Sequence, residues 1–320
     1  LSQTPTPGSV VHNLFRLLPP VDAALARLTA DPALAGIPRA VLREAVGAFL
    51  DGLREDIRAS RLTAPAQLDH ELLFAQCARH AKATARPHFR RVINATGVVV
   101  HTNLGRSLLA PEAAAAAADA CLRYSNLEFD LTTGERGSRY SHVVDILRTL
   151  TGAEDALVVN NNAAAVLLVL AAHACGKEVI VSRGELVEGG GSFRIPDIMA
   201  ASGAKLVEVG STNRTHLDDY RSAITPNTAM ILKVHPSNYR IEGFHEEVSA
   251  AELSALAHEH GLLLYEDQGS GALLTDEVLV DAGEKPTSAS LCAGVDVVSC
   301  SGDKLLGASQ AGIILGSAQV

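Results

Sequence analysis

Lys304 stands in the run Ser301-Gly302-Asp303-Lys304-Leu305-Leu306-Gly307, between an apolar stretch at 295–300 and another at 311–315. A lysine leaving the end of a strand projects into a cleft, where partial loss of water lowers its pKa and favours the neutral amine. A neutral amine condenses with an aldehyde to a Schiff base, and pyridoxal phosphate is the usual biological partner. Taken singly, a lysine at a loop is more often an ordinary surface residue. Its company has to decide.

Two other polar groups fall at strand ends. Asp267 follows the apolar run 262–266 and precedes Gln268-Gly269-Ser270-Gly271. A carboxylate there can pair with a pyridine nitrogen and keep it protonated, which makes the ring an electron sink; alone, it would read as a turn aspartate. Asn160-Asn161-Asn162-Ala163-Ala164 follows a third apolar run and opens a helical pattern. Amides at a helix start form an anion cup, and the small Ala163 and Ala164 admit a phosphate. Simple N-capping by asparagine is compatible with the same residues. Ser301 either adds a hydroxyl to that phosphate or serves the turn alone. Glycine-rich loops carrying Arg106, Arg183 and Arg194 suggest an anionic substrate group, although a lone arginine is more often a salt-bridged surface residue. A further loop, 133–140, is placed to reach a neighbouring subunit.

The elements that must hold these groups are legible from periodicity. Residues 1–20, with Pro5, Pro7, Gly8, Pro19 and Pro20, are expected to be flexible. Over 21–85, Val21, Leu25, Leu28 and then Val41, Leu42, Val46, Leu50, Leu53 and Ile57 recur at helical spacing, with Pro38 and Pro65 in first turns. This predicts a small helical domain. From 86 to 320 the rhythm alternates. Strand-like runs at 156–159, 178–182, 205–209, 229–234, 262–266, 295–300 and 312–315 are separated by helical segments such as 162–175, 192–201, 217–224 and 250–260. The alanine tract 113–118 is also read as helix. The expected fold class is α/β, a mostly parallel sheet with helices on both faces and ligands at the carboxyl ends of its strands.

The bulk composition narrows the classes. A chain of 320 residues, 47% hydrophobic and 20% charged, can bury one large core and a smaller unit. Its longest apolar stretch, 163–175, is too short to span a membrane and is interrupted by His173. The Thr-, Pro- and Ser-rich start lacks the layout of a signal peptide. Five cysteines, with no Cys-x-x-Cys, indicate reduced thiols in the cytoplasm and no metal site. Charge is uneven: residues 1–90 carry 11 Lys+Arg against 8 Asp+Glu, the remainder 16 against 28. All but one of the early cations are arginine, suited to phosphate contacts, although solvated helix faces account for the same count.

Residues 91–106, Arg91-Val92-Ile93-Asn94-Ala95-Thr96-Gly97-Val98-Val99-Val100-His101-Thr102-Asn103-Leu104-Gly105-Arg106, resemble the signature of bacterial selenocysteine synthases, the L-seryl-tRNA(Sec) selenium transferases. Glu135-Arg136-Gly137-Ser138-Arg139, the runs 159–165, 183–188 and 191–196, and the lysine segment 301–307 are similar to further family segments in the same order. One local departure is Gly307-Ala308-Ser309-Gln310, where the family usually has Gly-Gly-Pro-Gln; it alters the turn.

The resemblance implies a fold-type I pyridoxal phosphate (PLP)-dependent transferase large domain, a small N-terminal domain that engages tRNA, and a homo-oligomer built from dimers. Lys304 is then the cofactor lysine. The implied reaction converts seryl-tRNA(Sec) to selenocysteinyl-tRNA(Sec) with selenophosphate, through β-elimination to an aminoacrylyl-tRNA intermediate. Arg106, Arg183 and Arg194 become candidates for the donor oxyanions. Family members continue past residue 320, so a C-terminal small domain is expected to be missing from this sequence. A PLP-dependent lyase or aminotransferase acting on a free small amino acid would share Lys304, Asp267 and the phosphate cup but would not need residues 1–85. A tRNA-binding protein that has lost catalysis would not need Lys304 and Asp267.

Overall fold

The computed structural model describes residues 13–189, 193–273 and 283–320. The chain forms two compact units, Leu1–Val92 and Ile93–Val320, so the division expected at 85/86 falls at 92/93.

The first unit is built on helices α1 (Val21–Thr29), α2 (Arg39–Arg58) and α3 (His70–Thr84). In α2, Leu42, Ala45, Val46, Leu50, Leu53 and Ile57 fall on one stripe and are buried, meeting Leu25 and Leu28 of α1 and Leu73, Cys77 and Ala81 of α3. Each fully buried leucine contributes roughly 1.5–3 kcal/mol. Asp69 caps α3 by accepting from the Leu72 amide at 3.0 Å. Pro38 sits at the N-cap of α2, one position before the first turn. The core starts earlier than the proline-rich N-terminus suggested: residues 13–16 are helical and Leu14 is buried against α1–α3 side chains. The rest of the stretch expected to be flexible, residues 1–12, lies outside the described residues.

In the second unit, helices α4 (Pro111–Leu122) and α5 (Ser141–Thr151) lead into strand β1 (Asp155–Val159). Then follow α6 (Asn162–Ala174), β2 (Glu178–Ser182), a short hairpin of β3 (Glu188–Gly189) and β4 (Phe193–Arg194), and α7 (Ile195–Ser202). The chain continues through β5 (Lys205–Val209), α8 (Leu217–Ala223), β6 (Thr228–Val234), α9 (Ala250–Glu259) and β7 (Leu263–Gly269). It closes with α10 (Thr287–Cys292), β8 (Val297–Ser301) and β9 (Gly312–Gly316). Seven strands form one sheet in the order β1-β9-β8-β7-β6-β2-β5. Neighbours from β5 to β8 are parallel, and β9 is antiparallel to both β8 and β1. The expected mostly parallel α/β sheet is therefore present.

Both faces of the sheet are covered, and the period-2 alternation of the strands decides what each face receives. Ile180, Ile231, Leu264 and Val298 face Leu253 and Leu256 of α9 and Tyr220 of α8. Val181, Leu232, Tyr265 and Val297 face Val166, Val169 and Leu170 of α6 and Ile195 and Met199 of α7. By the same alternation Asp267 and Ser299 share the α6 side, whereas Glu266 and Gln268 turn to the other. On that other side Lys233 and Glu185 form a buried ion pair at 3.0 Å, with the ammonium also donating to the Val248 carbonyl at 3.1 Å.

The apolar residues 98–100 form a turn, and Asn94 folds back on the chain: its amide donates to the Val98 carbonyl at 2.9 Å and its oxygen accepts from the Thr96 amide. The helix expected from 192 begins at Ile195 with Pro196 in its first turn; Ser192 itself lies outside the described residues. Among the described residues no helix is long and apolar enough to cross a membrane.

Candidate active site

The carboxyl ends of β6, β7 and β8 open with the start of α6 into a cleft of about 710 Å³. Arg106, Asn161, Asn162, Ala163, Asp267, Ser301 and Lys304, widely spaced in sequence, all line it.

Lys304 lies in the turn that follows β8. The turn is held from three sides: the Ser107 hydroxyl donates to the Lys304 carbonyl, the Leu305 amide donates to the Ser270 carbonyl at 3.1 Å, and the Gly307 amide closes back on Lys304 at 3.0 Å. Burial holds the Lys304 ammonium below the ordinary lysine value, with Arg106 pushing the same way; Asp267, Asp303 and Glu284 oppose them without cancelling the shift. The neutral amine needed for Schiff-base chemistry is thus made more accessible.

Asp267 is 3% exposed in the sheet. Its Oδ1 accepts from Asn162 Nδ2 at 2.8 Å, from the Gly269 amide at 3.1 Å and from Ser299 Oγ at 3.3 Å. Burial raises its pKa, and the Asn162 amide, the Lys304 ammonium, Ser299 and the Gly269 amide each pull it back. Asn162 spends its amide on Asp267, and its buried Oδ1 has no hydrogen-bond partner among the described residues. Asn161 is the N-cap of α6, its oxygen accepting from the Ala164 amide at 2.9 Å, so capping and an open amide end coexist as the sequence allowed. The strand after the lysine runs directly beneath this helix start. A Cβ on Gly312 would lie 2.2 Å from the Asn161 carbonyl oxygen, a separation only glycine permits.

Ser301 is buried and its hydroxyl donates to Asp303 Oδ1 at 2.7 Å, so its one proton is committed within the turn rather than to an anion in the cleft. Asp303 holds Arg106 with its other oxygen at 2.7 Å. Arg106 has a positive φ of 62°, a conformation that costs a non-glycine residue energy and here follows Gly105 at 95°. Its amide donates to the His101 carbonyl at 3.1 Å, which closes the loop.

Arg183 and Arg194 are not brought to the cleft. Arg183 pairs with Glu208 at 3.1 Å and donates to the Gly210 carbonyl; Arg194 pairs with Glu188 at 2.6 Å across the β3–β4 hairpin. Both are exposed, in the surface ion pairs that a lone arginine ordinarily makes. In the 133–140 loop, Arg136 and Arg139 both hold Glu128.

Sequence reasoning missed His235 and Glu284, which line the cleft and pair at 3.2 Å, with Ser270 donating to Glu284 at 2.7 Å. His235 follows the last residue of β6, the same strand-end position that exposed Asp267, so a signal existed. Ser299 and Tyr265 gave none, being unremarkable residues inside apolar runs.

Comparison with known proteins follows the same outline. A family model described as L-seryl-tRNA selenium transferase matches residues 92–320, and one described as selenocysteine synthase N terminal matches residues 15–54. The chain is 70% identical to the L-seryl-tRNA(Sec) selenium transferase of Solidesulfovibrio magneticus, over 97% of this chain and 66% of that protein. The protein of the same name from Desulfomicrobium baculatum is 58% identical, over 96% of this chain and 66% of the relative. The chain therefore spans about 66% of the length of these relatives. Among solved structures, a D-glucosaminate-6-phosphate ammonia-lyase shares the fold with a TM-score of 0.54 at 24% identity, covering 68% of this chain and 56% of that one. A SepCysS–SepCysE N-terminal domain complex gives 0.51 at 16% identity, covering 72% and 58%.

Proposed function

The chain belongs to the L-seryl-tRNA selenium transferase family, and we propose that it serves pyridoxal phosphate-dependent conversion of seryl-tRNA(Sec) to selenocysteinyl-tRNA(Sec), with selenophosphate as donor. The observation that carries this reading is the meeting of Lys304, Asp267 and the start of α6 in one cleft.

The residues fit the cofactor. Asp267 has Oδ1 filled and Oδ2 without a hydrogen bond among the described residues, and the Asn162 side chain that bonds Oδ1 has a buried Oδ1 of its own with no partner among them. Acceptors so placed suit a protonated ring nitrogen. The α6 amides around Asn161, Asn162 and Ala163 suit a phosphate. When bound, pyridoxal phosphate supplies the electron sink that makes loss of a Cα proton and a β-hydroxyl feasible. Lys304 Nζ would hold the cofactor and, once free, would take the Cα proton of the seryl group, while Asp267 would keep the ring nitrogen protonated. Arg106, held by Asp303, faces the cleft as the donor-oxyanion residue, whereas Arg183 and Arg194 are tied elsewhere.

Two further parts of the reading concern partners. The arginine-rich first unit is the tRNA-engaging part, through phosphate contacts in the cytoplasm. A second copy of the chain covers an apolar surface in residues 93–150, where Ile93 is 91% exposed and α4 buries no side chain. Isolated apolar residues on a surface are ordinary, but a contiguous run of them marks an interface.

Incubation with pyridoxal phosphate, borohydride reduction and peptide mapping should place the label on Lys304. Seryl-tRNA(Sec) with selenophosphate should then give selenocysteinyl-tRNA, and free serine should not substitute. A label on any other residue sinks the reading.

A further inference from the structure

Oδ1 of Asp267 takes three hydrogen bonds, and the longest comes from a side chain that is itself held from behind. Ser299 is fully buried, 3.3 Å from Asp267 Oδ1 and 2.7 Å from the hydroxyl of Tyr265, which is also fully buried. A serine has a single hydroxyl proton, and a carboxylate oxygen only accepts. The Ser299 proton therefore points at Asp267, and the Tyr265 proton must point at Ser299. The direction of the chain Tyr265 to Ser299 to Asp267 is fixed by its last member.

We infer that Tyr265 and Ser299 are positioning residues, a one-way hydrogen-bond relay that keeps Asp267 charged and turns its free Oδ2 to the cleft. The inference rests on the cofactor reading above. A hydroxyl in an apolar core costs stability unless it is bonded, and two such groups aimed in sequence at one buried carboxylate offset that carboxylate's own loss of water. Among the described residues, the titratable groups that act on Asp267 or feel its charge are Lys304 beyond β8, Tyr265 on β7 and, from the opposite face of β8, Cys300. From the α6 side comes Asn162. From the β6 side come Val234, opposite in register, and the His235 amide, which donates to the Asp267 carbonyl at 2.9 Å. Burial raises the carboxyl and Ser299 lowers it, so losing the relay moves Asp267 further up.

The test is the affinity for pyridoxal phosphate across pH, by absorbance, for the purified protein and for Tyr265→Phe, Ser299→Ala and Ser299→Thr, with thermal melting alongside. Ser299→Ala should bind about tenfold more weakly near neutral pH, the size of one lost hydrogen bond to a charged group, and Tyr265→Phe, which loses a bond between two hydroxyls, should bind more weakly by a smaller factor. Their loss of binding on the acid side should begin at higher pH, because the carboxylate is protonated sooner. Ser299→Thr, which keeps the hydroxyl, should restore the original profile. If Tyr265→Phe and Ser299→Ala retain the unmodified pH profile, whatever their melting temperatures, the relay is refuted. Should Ser299→Ala fail to fold, Tyr265→Phe, which keeps the packed ring, decides alone. Absence of cofactor binding in the unmodified protein would instead overturn the reading on which the relay depends.

Discussion

Arg106 and Asp303, 197 residues apart in sequence, are joined by a 2.7 Å ion pair that flanks Lys304. The pair ties the loop before α4 to the turn after β8 and places a fixed positive charge near the amine. Arg106 lowers the Lys304 pKa and Asp303 raises it. In Arg106→Ala the first influence is gone and the second is unmatched, so the amine should hold its proton to higher pH. Because only the neutral amine captures an aldehyde, the pH at which the cofactor absorption band forms should move upward. An unchanged midpoint in a pH titration of the band would remove Arg106 from this role.

Lys304→Ala should abolish covalent retention of the cofactor, because among the described residues lining the cleft no other side chain carries a primary amine. Intact mass after borohydride reduction reads this directly: the unmodified chain gains a pyridoxyl group and the variant gains none. Lys304→Arg should behave the same way, since a guanidinium stays protonated.

Asp267 illustrates a site held at the expense of stability. Its folded pKa is raised by burial above the unfolded value, so ionised Asp267 weakens folding at every pH above that folded value and the penalty fades as pH falls through it. Asp267→Asn keeps an oxygen to accept from Asn162 and carries no charge. At neutral pH the cofactor-free variant should melt higher than the unmodified protein while losing affinity for pyridoxal phosphate. A lower melting temperature would contradict the assignment.

Burial alone would depress the Lys233 pKa, but the carboxylates of Glu185 and Glu247 outweigh it and the net shift is upward. Lys233→Met leaves Glu185 buried without its cation and should cost about 3–5 kcal/mol in urea unfolding. Adding Glu185→Gln removes the charge yet keeps an acceptor for the Val234 amide, which donates to Glu185 at 2.9 Å. The double variant should recover much of the loss. A double variant no more stable than the single would show that packing, not charge, sets the cost.

Leu122→Asp combined with Tyr124→Asp places two charges on side chains that are largely exposed in the single chain. If a second copy covers this surface, sedimentation should show a smaller species than the unmodified protein. Equal sedimentation would show that the surface does not mediate assembly.

Much of the fold was legible because its signals are local. The runs at 178–182 and 205–209 are strands with those limits, since β-branched residues bounded by turn formers specify a strand without distant help. Lys304, Asp267 and the Asn161–Ala163 turn stood out in the sequence because each follows an apolar run; in the fold Asp267 lies within the last residues of β7 and the others just past β8 and β1, the side where an α/β sheet gathers its ligands. The three arginines show the limit of that logic. All three looked alike in glycine-rich loops, yet only Arg106 lines the cleft, because Asp303 lies beneath it whereas Glu208 and Glu188 hold the other two outside.

By itself, the sequence determined the alternation of elements, the apolar stripes that close each unit and the chemistry available at the strand ends. Tertiary structure alone decided which polar groups are buried together. Asn162 and Asp267 are 105 residues apart, and Tyr265 and Ser299 are 34 apart on neighbouring strands. Such pairs leave no periodic trace, because a hydrogen bond between them exists only once the sheet has set its register and excluded water. The same exclusion raises the Asp267 carboxyl and lowers the Lys304 amine, turning two ordinary side chains into a site.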